Sequence, residues 1–282
     1  MREVLLVTNY FYPGKKGGGP ISSIKNLLEE SLVFDTDLKL EVLTLGRDFG
    51  EDRPYEGLSF DVRSYYKKIP VTYLRNNYKV IRFLKENRSF DTIHLNSLFN
   101  FWFSIIFILL SKVKIIKAGK IIVSPRGELS DAALQFKRIK KFIFLRLVNS
   151  INLYKGVTWH VTSNEEQDNV KNYFRVHADF IYKIENCLPL KKDFHCKKKK
   201  QKSLSMIFLS RIHPKKNLLY ALKVLSSLEI PYVFDVFGPI EDQEYFDECC
   251  SYARSLKHNS MINYKGELES EDVSKNLSNY DL

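Results

Sequence analysis

The stretch 205–228, SMIFLSRIHPKKNLLYALKVLSSL, constrains the fold of this chain more than any other. It opens on a short apolar run, 206–209, of the length of a buried parallel strand. It then turns through 210–214 into a pattern with Leu218, Leu219, Leu222 and Leu225 at helical spacing. A strand feeding a helix is half of a βαβ unit, and its turn lies at the strand's carboxyl end, where open α/β sheets bind ligands. Arg211 and Lys216 sit in that turn. Two cations at the mouth of a strand, near a helix start, suit a diphosphate, or are merely solvated in a surface turn.

The same alternation runs through the chain. Strands are expected at 4–8, 38–45, 62–66, 91–95, 121–124, 156–162 and 181–186, then again at 206–209, 232–237 and 261–264. Helices are expected at 21–32, 72–87, 99–110, 134–149, from Ser163 onward, and at 242–256 and 269–277. Asp281 and Leu282 read as the start of one more strand. Between the first strand and first helix, the loop 9–20 carries Gly14 and the contiguous Gly17, Gly18 and Gly19. Such glycines let a backbone approach a ligand closely, or leave the loop merely flexible. The spacing is not that of the dinucleotide fingerprint. Strand ends place His94 and Asn96 at one mouth and Arg126, in SPRGELSDAAL, at another. His94 reads as a cleft residue or a structural one; Arg126 suits a phosphate or acceptor group, or an ion pair with Glu128 or Asp131.

Charge is localised. The net +11 of the 282 residues resides in two places: residues 105–155 hold eleven Lys and Arg against two Asp and Glu, and 191–202 hold seven Lys against one Asp. The latter reads as an exposed linker, dividing 1–190 from 203–282. The former centres on LQFKRIKKFIFLRLVN, 134–149, with Phe136, Ile139, Ile143 and Leu147 as an apolar stripe. That pattern fits an anionic membrane surface, or a core helix with a solvated basic face. Nucleic-acid binding fits poorly, because no recognised nucleic-acid motif accompanies the patch, and none is expected. Cys187, Cys196, Cys249 and Cys250 show neither metal spacing nor a disulfide framework, so no metal is expected and the expected location is cytoplasmic. The apolar segment 99–110 is too short to span a membrane.

The pattern strand, Arg, two residues, Pro, one residue, Lys, Asn at 206–217 resembles the sugar-nucleotide signature of retaining GT-B glycosyltransferases of family 4, with Ser210 where the family more often has Gly. SPRGELSDAAL and VTSNEEQDNV resemble further elements of that family. The resemblance implies an α/β fold of two Rossmann-like domains, with 1–190 on the acceptor side and 203–282 holding the donor. It implies a sugar transferred from a nucleotide-diphosphate donor to a hydroxyl of a saccharide or lipid-linked acceptor, without cofactor, in cell-surface polysaccharide or lipopolysaccharide synthesis. Arg211 and Lys216 are then the catalytic cations. Gly17, Gly18, Gly19, Gly238, Gly266 and Glu267 face the donor, and His94, Asn96 and Arg126 face the cleft. The family's E-x7-E segment is not in this sequence, so the second domain is expected to be incomplete. Two other readings stay open: an inactive remnant that binds nucleotide or a partner, and a sugar-nucleotide epimerase on the same plan.

Overall fold

The structure, a computed structural model, describes residues 2–34, 37–135, 137–174, 176–188, 203–256, 260–268 and 272–281. The Lys-rich segment 191–202 with its Cys196, and also Phe136, Glu269 and Leu282, lie outside the described residues. The chain divides into two compact units, Met1–Leu190 and Lys191–Leu282.

The first unit is built on β1 (Arg2–Val7), β2 (Leu38–Leu45), β3 (Arg63–Tyr66), β4 (Ile69–Leu74), β5 (Ser89–Leu95), β6 (Lys117–Val123), β7 (Thr158–Val161) and β8 (Ile181–Lys183). They form one sheet in the order β3-β4-β2-β1-β5-β6-β7-β8, parallel except for the β3–β4 hairpin. Strand order reverses at β1, which pairs with β2 on one side and β5 on the other. That crevice is the place where doubly wound sheets bind ligands. Alternation along β1 sends Leu5 and Val7 to one core and Leu6 to the other. The Leu6 core is closed by Ile24 and Leu28 of α1 (Gly19–Val33).

The opposite core is larger. It takes Val80, Phe83 and Leu84 of α2 (Lys79–Glu86), the π-helical turn Phe101–Ile105 running into α3 (Ile106–Lys112), and Val170 of α6 (Asn164–Phe174). Between α3 and α6 stand α4 (Asp131–Gln135) and α5 (Arg138–Ser150), the latter supplying Leu145 and Val148. Phe103, Phe107 and Trp159 are fully buried here, and each large side chain so buried contributes about 1.5–3 kcal/mol or more.

Two expectations are corrected. The helix expected from Thr72 begins only at Lys79: Thr72, Tyr73 and Leu74 belong to β4, paired with Leu43, Thr44 and Leu45 of β2. Lys67, at φ 54°, turns the chain into that hairpin, and β-branched and aromatic residues favour the sheet. The single helix expected over 134–149 is broken. Lys137 adopts φ 55° between α4 and α5, and Lys141 Nζ donates to the Ala133 carbonyl, satisfying an acceptor the break exposes.

The second unit has a three-stranded parallel sheet in the order β11-β10-β9, from β9 (Leu204–Leu209), β10 (Tyr232–Phe237) and β11 (Ser260–Gly266). Leu218, Leu222 and Leu225 of α7 (Leu218–Leu225) and Tyr245 and Cys249 of α8 (Gln243–Arg254) cover it, and α9 (Val273–Leu277) follows β11. Asp242 caps α8 by accepting from Tyr245 N–H at 3.0 Å. At the free edge of β9, Asp281 N–H donates to the Ser205 carbonyl at 2.7 Å, and Ser205 N–H donates to the Asp281 carboxylate at 2.9 Å.

Candidate functional site

In the first unit, the carboxyl ends of β5 and β6 bring two of the expected residues together. Arg126 donates from Nε and Nη2 to Asn96 Oδ1, at 3.1 and 2.7 Å, and from Nη1 to Asn186 Oδ1. Glu128 does not pair with it. That carboxylate is turned to the 97–99 loop, accepting from Ser97 Oγ at 2.8 Å and from the Leu98 and Phe99 amides at 2.7 and 3.0 Å. Burial raises the Glu128 carboxyl, and those donors oppose the rise. Burial also pulls the Arg126 guanidinium below its ordinary value, and the charges of Glu166 and Cys187 partly oppose that. Glu166 accepts from Gly127 N–H at 2.8 Å and Thr162 N–H at 2.8 Å, locking the turn to the start of α6. Arg126 and Gly127 both have positive φ, 54° and 74°. Left-handed backbone at a non-glycine costs of order 1 kcal/mol and is held only by its surroundings.

His94 stands one residue inside the end of β5. Its Nε2 lies 2.7 Å from Ser124 Oγ, which lies 2.8 Å from His160 Nδ1, and His160 Nε2 lies 2.9 Å from the Ile184 carbonyl. A carbonyl only accepts, so His160 carries its proton on Nε2. Its bare Nδ1 takes the Ser124 hydroxyl, whose oxygen then accepts from His94 Nε2–H. Both rings are neutral: burial, with Arg126 and His160 nearby, lowers His94 to about 3, and burial lowers His160 too. Ser124, His160 and Asn186 were not singled out from sequence. The available signal was register, since Val123 pairs with Trp159, which sets Ser124 beside His160 at the next step.

The glycine loop is ordered. Asp48 accepts from Lys15 N–H at 2.7 Å and Lys16 N–H at 3.1 Å, while the Tyr55 and Tyr73 hydroxyls donate to the Phe11 and Tyr12 carbonyls. Gly18 ends the loop at φ 66° and Gly19 begins α1 with Pro20 behind it. A Cβ on Gly17 would meet Ile21 at 2.7 Å, whereas Gly18 and Gly19 face open space.

In the second unit the carboxyl ends of all three strands converge. A Cβ on Gly238 would lie 1.8 Å from the Ser210 carbonyl, and Gly238 N–H donates to the Gly266 carbonyl at 2.8 Å. Only glycine permits that approach at φ 142°. Arg211 leaves the same turn and pairs with Glu241 at 2.7 Å. Lys216 closes the helical turn Pro214–Lys216, exposed, and has no ion-pair partner among the described residues. Glu267, exposed, follows Gly266.

No family model matches the chain, and no curated protein matches it by sequence. Solved structures do. The chain is similar to a glycosyltransferase from Rickettsia africae, with TM-score 0.60 and 14% identity over 97% of this chain and 70% of that one. It is similar to HepE from Anabaena, solved with UDP and glucose, with TM-score 0.59 and 13% identity over 95% of this chain and 70% of that one. It is also similar to the lipopolysaccharide outer core galactosyltransferase WaaB, with TM-score 0.57 and 12% identity over 98% of this chain and 71% of that one. The fold is therefore mixed α/β with a mainly parallel eight-stranded sheet, of the Rossmann-like kind found in GT-B glycosyltransferases.

Proposed function

We propose that the chain is a retaining glycosyltransferase of the family 4 type, moving a hexose from a nucleotide-diphosphate donor to a hydroxyl of a lipid-linked or cell-surface saccharide. The observation that carries this is the convergence of Ser210, Gly238 and Gly266 at the ends of three parallel strands, with Arg211 and Lys216 leaving the same turn. In the reaction the bond from the anomeric carbon to the diphosphate oxygen breaks, the acceptor hydroxyl oxygen bonds to that carbon, and its proton is released. The diphosphate leaves with added negative charge, which Arg211 and Lys216 stabilise as preplaced cations, in place of a metal or cofactor. Gly238, Gly266 and Glu267 border the donor within the second unit. His94, Asn96 and Arg126 border the acceptor.

Among the described residues no helix is long and apolar enough to cross a membrane. The proposed place of action is the cytoplasmic face of the cell membrane. The test is calorimetric titration of UDP and GDP into the chain and into Arg211→Ala and Lys216→Ala. Loss of a charge-assisted contact should cost each variant more than about 1.5 kcal/mol, tenfold or more in Kd. No binding of either nucleotide by the parent chain overturns the donor site. Binding without sugar transfer returns the reading of an inactive nucleotide-binding protein.

A further inference from the structure

The helix α5 has two apolar faces. Lys141, Phe144, Leu145 and Val148 turn inward, with Leu145 and Val148 buried and the Lys141 ammonium over the Phe99 ring at 4.9 Å. At 100° per residue, Ile139, Phe142, Ile143, Arg146 and Leu147 fall on the opposite side of the helix. There the apolar four are exposed, Ile139 by 75% and the others by 58–59%. The sequence allowed a core helix with a solvated basic face. Instead the stripe through Ile139, Ile143 and Leu147 is the one that faces water.

The exposed face continues past the helix. Ile151, its C-cap, is exposed. Lys112 Nζ donates to the Asn152 and Lys155 carbonyls, which sets the turn bearing exposed Val113 and Ile115 beside that end of α5. Cations border the stripe: Arg138 and Lys140 on its flanks, Arg146 within it over the Phe142 ring at 5.3 Å, and Lys114 next to Val113. Solvated apolar residues in one contiguous stripe mark a contact surface, and the exposed cations on and beside it, Arg138, Lys140, Arg146 and Lys114, select the partner's charge.

We infer that this face docks on an anionic lipid bilayer, with Ile139, Phe142, Ile143 and Leu147 entering the headgroup boundary and Arg138, Lys140 and Arg146 meeting lipid phosphates. The inference stands apart from the transfer reaction, because a surface that binds lipid and a site that binds nucleotide are assayed separately.

The test is co-sedimentation with phosphatidylcholine vesicles, with and without phosphatidylglycerol. Binding should appear only with the anionic lipid and weaken as salt is raised. Ile139→Gln/Ile143→Gln should lose it while keeping the parent's circular dichroism. Arg138→Gln/Lys140→Gln should weaken it, each cation being worth about fivefold. As a second measurement with a near-native side chain, Phe142→Trp should show a blue-shifted emission on anionic vesicles only. Equal binding to neutral vesicles, or no binding and no emission shift, overturns the inference. So does a dimer that the Gln substitutions dissociate in the absence of lipid binding, which would make the face a contact between copies of the chain.

Discussion

Two nitrogens of Arg126, Nε and Nη2, close on the single Oδ1 of Asn96, at 3.1 and 2.7 Å. The partners of this guanidinium among the described residues, Asn96 and Asn186, are neutral amides, and Glu166 acts on its charge only from outside that contact. Asn96→Ala removes the shared acceptor and leaves donors unpaired, a loss of about 1–3 kcal/mol. Urea unfolding of the variant should show it, and an acceptor-dependent KM should rise while UDP affinity stays at the parent value.

Gly238→Ala places a methyl 1.8 Å from the Ser210 carbonyl in a backbone region that excludes side chains. The expected cost is at least ~3 kcal/mol. Gly266→Ala, at φ 79° with nothing within 4 Å, should cost only about 1 kcal/mol. Equal losses in denaturant melts of the two variants would show that the close approach is not what fixes glycine at 238.

Stability should fall as pH drops below about 6.5. Folded His94 titrates at about 3, whereas an unfolded His takes a proton near 6.5. Between those values the unfolded chain binds the proton that the native ring refuses, so stability is full above 6.5 and declines toward 3, by about 1.4 kcal/mol per pH unit. His160, lowered in the same direction, adds to the slope. Urea melts between pH 6.5 and 5, above the carboxylate range, should show a shallower slope for His94→Gln. An unchanged slope would mean that His94 is not the group responsible.

The pair of Arg211 and Glu241 is partly exposed, so it contributes at most about 1 kcal/mol. In the proposed donor site Glu241 competes with the diphosphate for the same guanidinium. Glu241→Gln should therefore tighten UDP binding, up to about fivefold, and flatten its salt dependence little. Weaker binding would instead make Glu241 the group that aims Arg211.

Much of this was legible in the sequence because parallel strands buried on both faces read as short apolar runs, and 38–45 and 232–237 coincide with β2 and β10. The hairpin was not. Tyr73, Leu74, Tyr78, Ile81 and Leu84 match helical spacing, and only pairing with β2 decides that the first two are strand. The juxtaposition of Asn96 and Arg126 was readable as strand-end position but not as contact. The partners His160 and Asn186 lie 36 residues beyond Ser124 and 60 beyond Arg126, joined to them by register alone. The facing of α5 was illegible for another reason: with apolar residues on both sides, periodicity does not say which side the core takes.

The clamp of Asp48 on the Lys15 and Lys16 amides has a thermodynamic consequence. Fixing one residue's backbone costs about 1–2 kcal/mol of conformational entropy. In this loop that cost is met during folding, before any ligand arrives. If the proposed role of this loop holds, a ligand meeting Gly18 and Gly19 encounters a surface already set, so its affinity reports the contacts it makes and its association carries little of the heat-capacity change of coupled folding.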